Sequence, residues 1–191
     1  KKAETLLLQT EFSKSYKTPS GNSEYCKNIL NLVLGKDILN ERSNKIGAIQ
    51  IPGAGSGLRI AGELIKNKLK NKLISTPNPT WGQQTFMFQK SGLKITKHNY
   101  YDNTNNFLNF EDMIFDLKKL KSGDALLLHG CCHNPTGADL NIDQWEQVAK
   151  VCKNNGIVPF IDLVYQGLGK GVDEDVLGIR KLVKIVPEVI I

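Results

Sequence analysis

Ala125-Leu126-Leu127-Leu128, then Asn141-Ile142-Asp143-Gln144-Trp145 running on to Asn155-Gly156, then Ile157-Val158-Pro159-Phe160-Ile161-Asp162: this stretch decides the fold. Its opening four residues are apolar without alternation, as in a strand buried on both faces. Asn141 with Gln144 three positions on makes a capping-box-like helix start. Trp145, Val148, Ala149 and Cys152 then recur at i, i+3, i+4 and i+7, the stripe of a helix that buries one face. Asn155-Gly156 supplies the stop, and residues 157–161 form the next strand. A strand, a helix and a second strand in this order imply a crossover and a parallel pair.

The unit repeats upstream. Ile46-Gly47-Ala48-Ile49-Gln50-Ile51 reads as a short strand and Gly53-Ala54-Gly55-Ser56-Gly57 as a loop. Leu58, Ala61, Leu64, Ile65 and Leu69 follow at helical spacing. Leu73-Ile74-Ser75-Thr76 is a strand ending at Pro77; Phe86 to Gln89 belong to a helix closed by Gly92; Leu93-Lys94-Ile95-Thr96 is a strand; Met113, Ile114 and Leu117 fit a helix. Glu188-Val189-Ile190-Ile191 begins a last apolar run. The expected class is α/β, a mostly parallel sheet with helices on both faces, over residues 46–191. Residues 1–45 read as helical, with a turn at Pro19-Ser20-Gly21-Asn22, packed on or beside the sheet.

Composition excludes several classes. At 40% hydrophobic and 23% charged the chain is an ordinary globular one. No apolar run approaches the roughly 18 residues of a membrane span, and Lys1-Lys2-Ala3-Glu4-Thr5 is a polar helix start rather than a signal peptide. The net charge of +6 gathers at helix ends (Lys66, Lys68, Lys70, Lys72; Lys118, Lys119, Lys121), where cations complement the helix dipole. No basic stripe interleaved with aromatics appears, so no nucleic-acid partner is expected. Cys26, Cys131, Cys132 and Cys152 lack disulfide or zinc spacing; they read as reduced thiols, with no metal, in the cytoplasm or, in a eukaryote, the mitochondrial matrix.

In a parallel sheet ligands bind beyond the carboxyl ends of the strands, and the chemically loaded residues fall there. They are the 53–57 loop, Trp81 in Asn78-Pro79-Thr80-Trp81, Asn134 in His133-Asn134-Pro135-Thr136-Gly137, and Asp162 with Tyr165. An indole, an amide, a carboxylate and a phenol suit a flat, phosphorylated, nitrogen-containing ring. Free N–H groups at the helix start after residues 53–57 would favour its phosphate; the bland alternative is a tight strand–helix turn. Asp162, costly at the end of a buried strand unless paired, would meet a protonated ring nitrogen; a helix cap or local ion pair is the alternative. His133 beside Cys131 and Cys132 could suggest a thiol–imidazole nucleophile, but neighbours on a strand diverge. His98 and His129 read as structural, and Trp145 as packing.

Together these motifs resemble the fold-type I pyridoxal-phosphate aminotransferases, specifically the aspartate/aromatic subgroup. The residues that carry the resemblance are 78–81, 129–137, Gln144-Trp145 and 162–167. It implies that Asp162 pairs with the pyridine nitrogen, and that Tyr165 and Asn134 hydrogen-bond the ring oxygen. Asn134 would also reach the substrate carboxylate, Trp81 would stack on the ring, and Gly53, Ala54, Gly55 and Ser56 would hold the phosphate. Tyr16 would reach the phosphate of a neighbouring subunit, implying a homodimer with shared sites. Substrates would be amino acids and 2-oxo acids: aspartate, or an aromatic amino acid. Both Asn78-Pro79 and Asn134-Pro135 are expected to be cis. Two departures stand out: the hydroxyl of the phosphate loop is fourth (Ser56) rather than third, and Gln84 stands where a histidine often supports the aspartate. The resemblance also implies a Schiff-base lysine and carboxylate-binding arginines beyond Ile191, a segment before Lys1 and a C-terminal small domain. Residues 1–191 thus read as the central part of a large domain, inactive alone; a non-catalytic paralogue using the same cleft is the other class of function.

Overall fold

Helices come first in the computed structural model, which describes every residue of 1–191 except Lys17. α1 (Lys2–Thr10) buries none of its residues, whereas α2 (Ser23–Glu41), capped by Asn22, inserts Val33, Leu34 and Ile38 into the core. Then follow α3 (Ala54–Lys68), β1 (Leu73–Asn78), α4 (Gly82–Lys90) and β2 (Lys94–Asn99). A two-residue hairpin, β3 (Tyr101–Asp102) and β4 (Phe107–Leu108), leads into α5 (Phe110–Leu117). β5 (Ala125–His129), α6 (Ile142–Asn155), β6 (Val158–Asp162) and α7 (Leu177–Ile185) complete the order.

The main sheet runs β2-β1-β5-β6, every pair parallel. Beyond β6, Ile190 makes an isolated parallel bridge to Phe160, so the apolar run at the end of the sequence lies where a further strand belongs. β5 shows why the sheet needs cover on both sides. Leu126 and Leu128 face a core built with α2, α5, α6 and α7, while Ala125 and Leu127 face a second core built with α3 and α4. All four are essentially inaccessible to solvent, the period-two pleat dividing one apolar run between two layers. α6 is the expected helix in detail: the Asn141 side chain accepts from Gln144 N–H at 2.9 Å, the Gln144 side chain accepts from Asn141 N–H at 2.9 Å, and Gly156 ends it in the left-handed conformation.

Two expectations need correction. Residues 46–51 are not a strand. Ile46, Ala48 and Ile51 are half-buried while Gly47, Ile49 and Gln50 are exposed, so the alternation is there, but no neighbouring strand pairs with it among the described residues. Its backbone bonds are Gln50 N–H to the Ser20 carbonyl at 2.9 Å and a turn bond from Gly53 N–H to the Ile51 carbonyl at 3.0 Å, neither to a strand. Nor is 53–57 a loop: Ala54 to Gly57 are already the first turn of α3, with Gly53 at φ 90° as its cap. Packing of Leu58, Ala61 and Ile65 fixes a helix across residues whose own propensity is poor. The two prolyl bonds expected to be cis, Asn78-Pro79 and Asn134-Pro135, are cis.

α6 and α7 meet where Gly178 lies flat against the indole of the buried Trp145, and a Cβ at 178 would collide with that ring. Alanine gains about 1 kcal/mol over glycine in a helix, but overpacking costs typically about 1–3 kcal/mol. Gly178→Ala is therefore expected to destabilise the intact protein by about 1 kcal/mol or more in denaturant unfolding, whereas Gly47→Ala, with open space around it, should change stability by less than about 0.5 kcal/mol.

Candidate active site

β1 sends its chain to β2 on one side, while the next strand, β5, sits on the other side of β1. The segments leaving β1 and β5 therefore diverge, and a crevice opens between them, the place where such sheets take ligands. A cleft of about 220 Å³ lies there, lined by Ala54, Trp81, Gln84, His129, Cys131, Cys132, Asn134, Asp162, Val164 and Tyr165. Every strand-end residue singled out in the sequence is thus brought together: Trp81 three residues after β1, Asn134 five after β5, Asp162 closing β6 and Tyr165 three beyond it. Tyr16 is not among the lining residues and is fully exposed.

Of the 53–57 segment, Ala54 lines the cleft. Ser56 turns away from it, its Oγ donating to the Pro52 carbonyl at 3.3 Å. What the segment offers an anion is the free N–H groups of the first turn of α3, which carries no side-chain cap.

The polar floor is only partly legible in the sequence, where the resemblance marks position 84 and nothing marks a partner for His129. His129 pairs with Asp162 across β5 and β6. Gln84, in the first turn of α4 and 1% exposed, donates from Nε2 to Asp162 Oδ2 at 2.5 Å. Its Oε1 accepts from Thr80 Oγ1 at 2.5 Å and lies 3.1 Å from His129 Nε2. The backbone N–H of Asn134 donates to His129 Nδ1 at 3.1 Å. Among the described residues nothing engages the Asn134 amide or the Tyr165 hydroxyl, so both are free to meet a ligand.

The loop from 130 to 139 is held from below. Asp139 accepts from Cys132 N–H at 2.8 Å and His133 N–H at 2.9 Å, and Tyr100 Oη donates to the Ala138 carbonyl at 2.6 Å. The His133 ring stacks between Tyr100 and His129, with centroids 3.9 and 4.3 Å away. This settles the thiol–imidazole question. His133 is spent on packing and on Thr136 Oγ1 at 2.8 Å, so it is not placed as a base, and burial pushes the Cys131 thiol up to about 12, so Cys131 is no thiolate ready for attack. After Tyr165, the buried Asp175 accepts from the N–H groups of Gly167, Gly169 and Lys170 at 2.7–3.0 Å and fixes the turn that carries the tyrosine. Burial pushes its carboxyl up, but those bonds more than offset this and hold it below the usual range.

The donor set fits a phosphorylated pyridine. It provides N–H groups for the phosphate, an indole face for the ring, a carboxylate for a cationic nitrogen, and an amide and a phenol without partners. No group of three metal-ligating side chains occurs among the described residues, and no described helix is long and apolar enough to cross a membrane. The chain's three histidines, His98, His129 and His133, lie together under this floor.

Comparison with known proteins agrees with the geometry. The model of the family described as aminotransferase class I and II matches residues 1–191. Aspartate aminotransferase of Haemophilus influenzae is 39% identical over 180 residues, 94% of this chain and 46% of that protein. A solved aromatic amino acid aminotransferase with 3-indolepropionic acid superposes with a TM-score of 0.92 at 39% identity, over 98% of this chain and 48% of that one. Aromatic-amino-acid aminotransferase from Burkholderia pseudomallei, covalently bound to pyridoxal phosphate, superposes with a TM-score of 0.90 at 29% identity, over 96% and 46%. The chain spans about half the length of the relatives it matches.

Burial pushes His98 and His133 down to about 3, the nearby imidazoles adding to the effect on both, although Asp116 opposes it at His98. Each is neutral when folded and takes up a proton on unfolding below its ordinary value of 6.5. Stability is therefore full above about pH 6.5 and falls as the pH drops toward 3, by about 1.4 kcal/mol per pH unit for each group. Denaturant unfolding, followed from pH 6.5 down to 5, above the carboxylate range, should show the uptake by this pair rise from about one proton to close to two. His133→Asn should reduce the slope by about one.

Proposed function

Since the chain belongs to the aminotransferase class I and II family, we propose that the intact protein moves an amino group between an amino acid and a 2-oxo acid with pyridoxal 5'-phosphate held in this cleft. The reaction we propose is aspartate with 2-oxoglutarate giving oxaloacetate and glutamate. One observation carries the reading: Asp162, at the carboxyl end of β6, shares a single cleft with Trp81, Asn134 and Tyr165. When bound, the cofactor supplies the electron sink that such chemistry needs.

The chain's own residues do the rest. Asp162 holds a proton on the ring nitrogen by offering it a fixed counter-charge. Tyr165 donates to the ring oxygen through its free hydroxyl, and Asn134 through its free amide, which also reaches the substrate carboxylate. Trp81, 37% exposed at the cleft wall, covers one ring face and keeps water off it. The first-turn N–H groups of α3, from Ala54 through Ser56, take the phosphate by backbone alone, while Gly53 shapes the turn before them with its own N–H bonded to the Ile51 carbonyl at 3.0 Å. Exposed Tyr16 reaches the phosphate of a second subunit, so we propose a homodimer with shared sites. An amine base and carboxylate-binding arginines would come from residues outside 1–191; on this reading 1–191 is the central part of a large domain, 1–45 its helical portion and 46–191 its sheet. The four free thiols suit a reducing compartment, cytoplasmic or mitochondrial matrix.

An aromatic amino-acid substrate is the second reading, favoured by the likeness to the solved aromatic enzymes. Comparing kcat/KM for aspartate and phenylalanine in the intact protein decides between them. A non-catalytic role is disfavoured by the convergence of Trp81, Asn134, Asp162 and Tyr165 on one cleft. Asp162→Ala in the intact protein should lower turnover by several orders of magnitude, the nitrogen having lost its counter-ion; near-normal turnover would remove the role given to Asp162. Residues 1–191 expressed alone should show no transamination above free cofactor.

A further inference from the structure

We infer that Gln84 is the positioning residue of this site: its amide turns the Asp162 carboxylate into the cleft through a donor that cannot be titrated away. The inference rests on the reading of Asp162 as partner of a ring nitrogen and deepens it.

Proton accounting leaves one arrangement. The backbone N–H of Asn134 donates to His129 Nδ1 at 3.1 Å, so that nitrogen carries no proton. Neutral His129 then has its proton on Nε2. Nε2 can donate to Gln84 Oε1 at 3.1 Å or to Thr80 Oγ1 at 3.2 Å, and the Gln84 Nε2 atom, 3.0 Å away, cannot serve as its acceptor. The carboxylate fixes the amide's orientation independently: turned over, Gln84 would set a carbonyl oxygen against Asp162 Oδ2. Bonds thus run one way, from Asn134 N–H to His129, from His129 to Gln84 and from Gln84 to Asp162, with Thr80 Oγ1 holding Oε1 at 2.5 Å. The backbone of the residue assigned to the substrate carboxylate is thereby tied to the carboxylate assigned to the ring.

Gln84 is 1% exposed, so an unmatched amide there would be costly, and all its polar atoms are matched. The titratable groups that face Asp162 are His129 on β5, Cys131 and Cys132 on the loop after it, and Tyr165 beyond β6. Burial lowers His129, although Asp162 and Asp139 oppose this. An amide in contact with the carboxylate adds no further ionisation to this set, whereas an imidazole or carboxyl at position 84 would.

The experiment uses the intact protein and pyridoxamine 5'-phosphate, which cannot form a covalent link to a lysine. It reads the dissociation constant from pH 6 to 9 as a ratio to wild type, cancelling the ligand's own ionisations, together with ¹⁵N NMR of the His129 ring. Wild type should show one tautomer, with the proton on Nε2, throughout. Gln84→Met should weaken binding by about tenfold or more at every pH, because the carboxylate is no longer held toward the ring nitrogen, and should mix the tautomers. Gln84→Glu, nearly the same shape, sets a second carboxyl against Asp162, so its ratio should vary with pH. If Gln84→Met fails to fold, Gln84→Glu carries the test alone, and a pH-independent ratio there overturns the inference. Gln84→Met binding within twofold of wild type with His129 in one tautomer also overturns it, provided Asp162→Asn is weakened. Unchanged binding by Asp162→Asn overturns instead the underlying reading of the cleft.

Discussion

A carboxylate ending a buried strand is the constraint around which this molecule is arranged. Pro159, Phe160 and Ile161 lead to Asp162 through the interior, and an ionised group left there without partners would cost several kcal/mol. The parallel register of β5 and β6 sets His129 beside it, α4 brings Gln84 onto Oδ2, and the remaining side opens into the cleft. A partly matched carboxylate facing a cavity is poised for a cation. The divergence of the chain after β1 and β5 provides room for one, and the uncapped start of α3 lies at the same edge.

Much of this was legible in the sequence because it is local. The stripe on α6, its capping box and the wholly apolar β5 each record their surroundings in consecutive residues. So do the strand-end positions of Trp81, Asn134 and Asp162. What could not be read depends on distant partners. Residues 46–51 alternate as a strand does, yet a strand exists only with a neighbour. Ala54 to Gly57 look like a loop because glycine disfavours helix, and the packing of Leu58, Ala61 and Ile65 overrides that preference. His129 carried no local signal, since its meaning comes from Asp162 across the sheet. Gln84 and Asp162 lie 78 positions apart, and only the fold brings the amide onto the carboxylate.

Stability and site geometry are joined under the floor of the cleft. Tyr100, His133 and His129 form one stack, and Asp139 and Thr136 hold the loop that presents Asn134. Buried and neutral, His98 and His133 make that floor vulnerable to acid, because each gains its proton on unfolding. The same burial keeps the Cys131 thiol protonated.

The most direct measurement is a crystal structure of the intact protein with pyridoxal 5'-phosphate. The account predicts the ring lying against Trp81, its nitrogen within hydrogen-bond distance of Asp162, its phosphate at the first turn of α3, and Gln84 still bonded to Asp162 Oδ2. A ring bound elsewhere, or one whose nitrogen faces away from Asp162, would contradict it.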